Sequence, residues 1–450
     1  APFALRLVVR TLGEATWEQL SIDALRLQLV GDAPLVAALY EMLLARCTRV
    51  IARPLDGGEG IVLPPSAVEP VGFEGDASLL PFPRRSFAGY ALLQDYFAFP
   101  DRFMAIRIAE LARVRALAPG RAVEFVLCCE ATDRADWPTL LENGVRAQTF
   151  ATSCVPVVNL FEQVAEPIRL TRRVHEYPIV PDAYRRRRLE VFGIDEVLVP
   201  RPGGGEPRVF LPLHAPRRGR AEVDVAGYWT AQRRTSEWRD GGADVFLAFV
   251  DADAEPIIPD ASDVTVRLTC TDGTLPHQLR IPSDGRDFEI LRGAPFVRIE
   301  ALLRPTPHVP PPLGGAQAWR LLSLLSLNHR SLVDEGAEAL RELLRLHDFA
   351  RTRAAEEQVA SLVRVTSRAT HARIPSPGLG MTFVRGRAVE LEFDEARLAG
   401  GSLYLLASVI ERFLGLYVTI NSFTQCTVRA RQRQRVVRAW PPRSGWKPLV

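Results

Sequence analysis

The sequence predicts a multidomain α+β protein, with β-rich amino-terminal and middle regions and a carboxy-terminal domain of helices and strands. Three observations carry that expectation. At 450 residues the chain is long for one domain, whose common size is about 100–150 residues. Its hydrophobic pattern changes along the chain, from short runs separated by turn residues to leucines at helical spacing. A proline-dense stretch, RPTPHVPPP from Arg304 to Pro312, followed by Gly314-Gly315, divides the two patterns. With 47% hydrophobic and 24% charged residues, the chain has enough apolar side chains for a sizeable core, which excludes general disorder.

Residues 1–155 alternate strand and helix signals and form the expected amino-terminal α/β region. LRLQLV from Leu25 reads as a strand, and Pro34 opens a helix running to about Ala45. A second helix starts near Ser86 and stops by Phe99, because Pro100 disfavours helix at the residue before it. Val123 to Cys129 reads as a buried strand. Residues 156–304 form the expected β-rich middle domain. LEVFGIDEVLV from Leu189, DVFLAFV from Asp244 and DVTVRLTC from Asp263 are its strand-like runs, and Gly-rich turns separate them.

Residues 305–316 form the expected Pro/Gly-rich linker, and residues 317–450 the carboxy-terminal α+β domain. Trp319 to His329 carries leucines on almost every side, which predicts a helix buried on more than one face. The next helix aligns Leu340, Leu343, Leu344 and His347. Asp334 and Glu335 at its start and Arg345 near its end suit the helix dipole. A third helix aligns Leu406, Val409, Ile410 and Phe413, with Ser408, Glu411 and Arg412 on a polar face. Ser402 is its expected N-cap and Gly415 its stop. LYVTINSF then reads as a strand with Leu416, Val418 and Ile420 on one face.

Several chemistries find no signature. Lys447 is the only lysine, so a phosphate-binding loop lysine and Schiff-base chemistry lack candidates. Neither GxSxG nor HExxH occurs, and the seven histidines are scattered without metal-pair spacing. Asp195-Glu196 and Asp394-Glu395 are adjacent carboxylates that point in different directions on helix or strand, which favours ion-paired or solvated roles. The six cysteines contain no CxxC pair and read as free thiols in a reducing compartment. A net charge of +3 falls short of a nucleic-acid footprint. The most apolar stretch, Gly400 to Ile420, is interrupted by Glu411 and Arg412, so no membrane insertion is expected. No catalytic, cofactor or metal residues are therefore nominated. The first residue is alanine, and the opening APFALRLVVR reads as a strand entered in mid-protein.

Two arginine clusters remain. Arg185 to Arg188 form a continuous run. Arg429, Arg431, Arg433 and Arg435 alternate at period two, which on a strand puts four guanidinium groups on one face. They are the candidate partner interface, weighed against a charged edge strand that blocks aggregation.

Longer segments point to a family. They are SFAGYALLQDYFAFPDRF from Ser86, PVVNLFEQVAEPIRL with HEYPIVPD between Pro156 and Asp182, and LTCTDGTLPHQL from Leu268. AWRLLSLLSLNHRSL from Ala318, ALRELLRLHDF from Ala339 and FVRGRAVELEFDE from Phe383 follow, then GSLYLLASVIERFLGLYVTINSFTQ from Gly401 and WPPRSG from Trp440. Together they resemble the TssF (VasA/ImpG) family of type VI secretion baseplate subunits. The resemblance implies a non-enzymatic, phage wedge-like protein without cofactors, at work in the cytoplasm and docked on the inner-membrane complex. It implies partners: a TssG-like subunit, a second copy of the chain, TssK-like and TssE-like subunits, and the sheath and hub spike proteins. It also implies an amino-terminal helical segment that this sequence lacks. Two other readings stay open: a wedge protein of a phage tail or other contractile machine, and a carboxylate-based hydrolase without a short motif.

Overall fold

A computed structural model describes residues 2–56, 59–74, 78–83, 86–171, 173–201, 204–214, 225–257, 263–283, 287–290, 293, 298–325, 332–333, 336–376, 380–398, 400–418 and 422–444. The chain forms two compact units. One joins Ala1–Val157 to Trp319–Val450, and the other is Val158–Ala318.

The amino-terminal segment supplies β1 (Phe3–Arg10), β2 (Leu25–Leu29), α1 (Ala33–Ala45), β3 (Cys47–Pro54), β4 (Ile61–Leu63) and β5 (Val68–Pro70). It continues through α2 (Ala88–Ala98), β6 (Ala105–Ile108), α3 (Leu111–Arg115), β7 (Ala122–Cys129), α4 (Trp137–Gly144) and β8 (Phe150–Ala151). The strands build two four-stranded sheets, ordered β1-β7-β3-β4 and β5-β6-β2-β8. Every pairing in them is antiparallel, so the alternation of strand and helix does not make a parallel α/β sheet here.

The middle unit holds β9 (Phe161–Val164), β10 (Ile168–Arg169), β11 (Glu176–Pro178), β12 (Glu190–Val199), β13 (Arg208–Pro212), β14 (Val225–Thr235), β15 (Ala243–Val250), β16 (Asp263–Thr271) and the short α5 (Leu275–Gln278). Its eight strands form one sheet in the order β10-β16-β12-β13-β14-β15-β11, with β9 also on β16. Alternate residues such as Val245, Leu247 and Phe249 are buried, and they meet Val197, Phe210, Val266 and Leu268 in a core of the unit's own. The stretch from Arg304 to Pro312 has no regular structure. Proline cannot donate to a ladder, and His308 anchors the stretch to Glu190 at 3.1 Å.

The carboxy-terminal segment contains α6 (Gly315–Leu325), α7 (Ala337–His347), α8 (Arg353–Ala360), β17 (Leu362–Ser376), β18 (Gly380–Phe393), α9 (Leu403–Tyr417), β19 (Ser422–Ala430) and β20 (Arg438–Ala439). β17 and β18 are antiparallel, β18 and β19 are parallel with α9 as the crossover, and β20 closes the order β17-β18-β19-β20.

Three sequence expectations change. Residues 1–155 and 317–450, expected as separate domains, share one unit and one core. The reason lies in α9: Ser402 caps it as expected, yet almost its whole circumference is buried, the supposed polar face included. Its own sheet covers one side, while α1 and α2 from the amino-terminal segment cover others. The helix also runs past Gly415 to Tyr417, so Leu416 belongs to its last turn; the following strand is described from Ser422, and Ile420 lies outside the described residues. Finally, α6 is not enclosed: Trp319, Leu321 and Leu322 are exposed. Leucines on all sides state a demand for cover, which this chain does not meet at those positions. Residues 326–330, and Asp334 and Glu335 of the expected next helix start, lie outside the described residues.

Candidate functional site

The arginine segment departs from a ladder because β19 ends at Ala430. Only Arg429 lies on a strand. It is exposed, and its Nε is 3.4 Å from Glu390 on the adjacent β18. Arg431 sits in the turn beyond, where its Nε donates to Glu392 at 2.9 Å. Gln432 donates to Asp394 at 2.6 Å and accepts from the Glu395 amide at 3.0 Å. Arg435 is exposed, and its backbone amide donates to Asp133 at 3.2 Å.

Arg433 turns inward, which overturns its assignment to a partner-facing surface. Its side chain is 1% exposed and lies between Glu41 of α1 and Glu395 of the turn after β18. It donates to Glu395 Oε2 at 2.9 Å and to Glu41 Oε2 at 3.2 Å, with further contacts to both carboxylates. The guanidinium also lies 5.0 Å from the Trp137 ring centroid, and Arg134 approaches the same ring at 5.6 Å. Burial pulls the Arg433 guanidinium down, but the two carboxylates outweigh it and hold the group above its ordinary value. Burial pushes the Glu41 carboxyl up against the opposing pull of Arg433. The arrangement is an ion triad closing the two halves of one core, with donors and acceptors matched.

Glu41 escaped sequence reasoning, which placed a helix from Pro34 to about Ala45 without weighing the charge inside it. The signal was present: in APLVAALYEMLLA a single charge stands among residues that pack all round, and such a charge needs a buried partner. Glu411 is a second case. It is 1% exposed and pairs with Arg443, and Arg412 lies over the Phe73 ring at 3.9 Å. A Cβ at Gly415 would fall 2.5 Å from Arg443 Cδ, so glycine there leaves room for the arginine to reach Glu411.

The remaining sequence candidates have structural partners. Asp195 accepts from the Thr269 hydroxyl at 2.9 Å, Glu196 lies 3.3 Å from Arg267, and Asp394 accepts from the Ala396 amide at 3.2 Å. Arg185 pairs with Asp182 at 2.8 Å, Arg188 with Asp272 at 2.9 Å, and Arg186 stacks 4.3 Å over Trp238. Two clefts of about 270 and 220 Å³ lie on the middle unit, the first around Arg201 and Thr265, the second around Trp229 and Arg233. No carboxylate, histidine or cysteine lines either of them among the described residues. No described group of histidine, cysteine and carboxylate side chains has metal-binding geometry, and no described helix is long and apolar enough to cross a membrane.

The sequence matches the family "Type VI secretion system, TssF" over residues 1–447. The chain belongs to the TssF family. A Pseudomonas aeruginosa relative, type VI secretion system component TssF1, is 34% identical, and the match covers 100% of this chain and 73% of the relative. The fold of this TssF-family chain resembles a chain of the type VI TssK–TssF–TssG baseplate subcomplex solved by cryo-electron microscopy. That likeness has a TM-score of 0.75 at 24% identity, over 99% of this chain and 79% of that one. A chain of a second type VI baseplate complex gives a TM-score of 0.55 at 21% identity, over 94% and 70%. As a TssF-family member, the protein is a component of a type VI secretion system.

Proposed function

We propose that the protein is a structural wedge subunit of the type VI baseplate, acting by assembly and not by catalysis. The observation that carries this reading is the family match along essentially the whole chain, together with a fold like that of chains solved within baseplate complexes. Its partners in this reading are a TssG-like subunit, a second copy of itself and a TssK-like subunit, with TssE-like, sheath and hub spike proteins around them. The assembly works in the cytoplasm against the inner-membrane complex. The buried ion triad suits such a part, because a subunit under mechanical load gains from a core whose polar groups have one fitting arrangement.

The test is co-expression of the full-length protein with the TssG-like and TssK-like products of its own secretion cluster. A stable complex on size exclusion, and loss of tube-protein secretion on deletion, are expected. A protein that stays alone, or whose loss leaves secretion intact, removes the reading. Asp195→Asn, Glu196→Gln, Asp394→Asn and Glu395→Gln test catalysis: abolished secretion with normal fold and assembly would favour an enzyme.

A further inference from the structure

β17 and β18 continue past the strand that supports them. They pair with each other from Leu362 and Phe393 out to Ser376 and Gly380, whereas among the described residues β19 pairs with β18 from Arg385 to Phe393. The fully buried Phe423 lies over Gly386 at the end of the supported part, where a Cβ would fall 2.5 Å from its ring. Among the described residues the two-stranded remainder is an arm, and β17 is the edge of its sheet along its whole length of 15 residues. Strands are typically about 5–6 residues long, and an open edge of this length is a template for another strand.

The β17 edge and the arm are also charged in one sense. Between Val365 and Ala388 the sequence has arginines at 368, 373, 385 and 387 and no acidic residue. Arg368, His371, Arg373 and Arg385 are exposed. Register places His371 opposite Arg385 and Arg373 opposite Phe383, so these four share one face. The Arg373 guanidinium lies 4.8 Å from the Phe383 ring centroid, and Phe383 is 67% exposed. No carboxylate pairs with Arg368, Arg373 or Arg385 among the described residues, although Arg429 of β19 and Arg431 in the turn beyond it are both paired. A charged edge that only prevents aggregation needs no exposed aromatic, and an arginine stacked on an exposed ring is the composition of a binding hot spot.

We propose that the outer edge of β17 from Thr366 to Arg373, with the Arg373–Phe383–Arg385 face beside it, docks an extended acidic segment of another subunit of the same assembly. The segment adds as a strand. Its backbone pairs with the open edge, and carboxylates at alternate positions meet the arginines as charge-assisted hydrogen bonds. This inference rests on the baseplate reading above.

The experiment is hydrogen–deuterium exchange on the full-length protein, free and in the purified complex with its TssG-like and TssK-like partners. Peptides covering residues 366–373 should exchange about tenfold more slowly in the complex. Arg373→Glu with Arg385→Glu should abolish that protection, while Arg373→Lys with Arg385→Lys keeps it at low salt and loses it at high salt. Both pairs should leave the melting temperature unchanged, because the side chains are exposed. An edge that exchanges equally in both states overturns the proposal, and so does protection that survives the glutamate pair. Equal protection of the free protein by phosphatidylglycerol vesicles would assign the arm to a lipid surface instead. If the wild-type chain forms no complex, the baseplate reading fails; a normal complex with an unprotected edge refutes the arm alone.

Discussion

The β19 side of the carboxy-terminal sheet and its β17 edge with the arm both carry arginines and treat the charge in opposite ways. At the base, Arg429 and Arg431 have carboxylate neighbours on β18, and Arg433 has one carboxylate from the adjoining turn and one from α1. Toward the β17 edge and the arm, Arg368, Arg373 and Arg385 have none among the described residues. A guanidinium taken out of water must be matched, and matching fixes its geometry. One left in water is available to another molecule. Exposure and pairing, not spacing along the chain, separate the arginines that build the fold from those that can serve an interface.

The largest effect that sharpens this contrast is expected at Arg433. Arg433→Ala leaves Glu41 and Glu395 buried without their partner and should cost about 3–5 kcal/mol in chemical denaturation. Arg433→Met combined with Glu41→Gln should recover much of that loss. A cost under ~1 kcal/mol for the single change would mean that water reaches the triad. Gly386→Val comes next. Its side chain meets the Phe423 ring at the junction of base and arm, and overpacking should cost about 1–3 kcal/mol, read as a lower melting temperature.

A smaller effect concerns His347 in the same core. It is buried, its Nδ1 donates to the Leu343 carbonyl at 2.9 Å, and its ring stacks on Tyr90. Burial pulls its pKa below the ordinary 6.5, against the pull of the Leu343 carbonyl. The folded state therefore prefers the neutral ring. The associated stability is present above pH 6.5 and is lost as pH falls through the lowered folded value. Melting temperatures from pH 7 to pH 5 should fall less steeply for His347→Gln than for wild type; parallel curves would count against a buried neutral ring. The smallest effect is at Arg431, whose pairing with Glu392 is half in solvent. Arg431→Ala should cost about 0.2–1 kcal/mol at low salt and less at high salt.

Much of the architecture was legible because it is local. The Ser402 cap, the leucine face of α7, the strands of the middle unit and the proline-dense stretch all follow from residues close in sequence. The family was legible because segments spread over most of the chain resemble it together. What escaped depends on residues far apart. No pattern within 1–155 announces that α1 and α2 cover a helix starting at residue 403. The alternation at 429–435 imitates a strand face, but a strand needs a partner beyond Ala430 and the chain turns there instead. Glu411 looked like part of a solvated face because Arg443, which pairs with it, lies 32 residues away across the sheet connection.

The pairing of Glu41 with Arg433 spans 392 positions and imposes an order on synthesis. At about 5–20 residues per second, a ribosome needs roughly 20–80 s to travel between those codons. During that interval the middle unit can fold as it emerges, since its strands and core are contiguous in sequence. Over that interval α1 lacks the cover of α9, and Glu41 is unmatched. A chain released before codon 433 has no partner for the charge in its first helix. The delay acts as a limit on yield set by the stretch around Arg433, far from the helix that it completes.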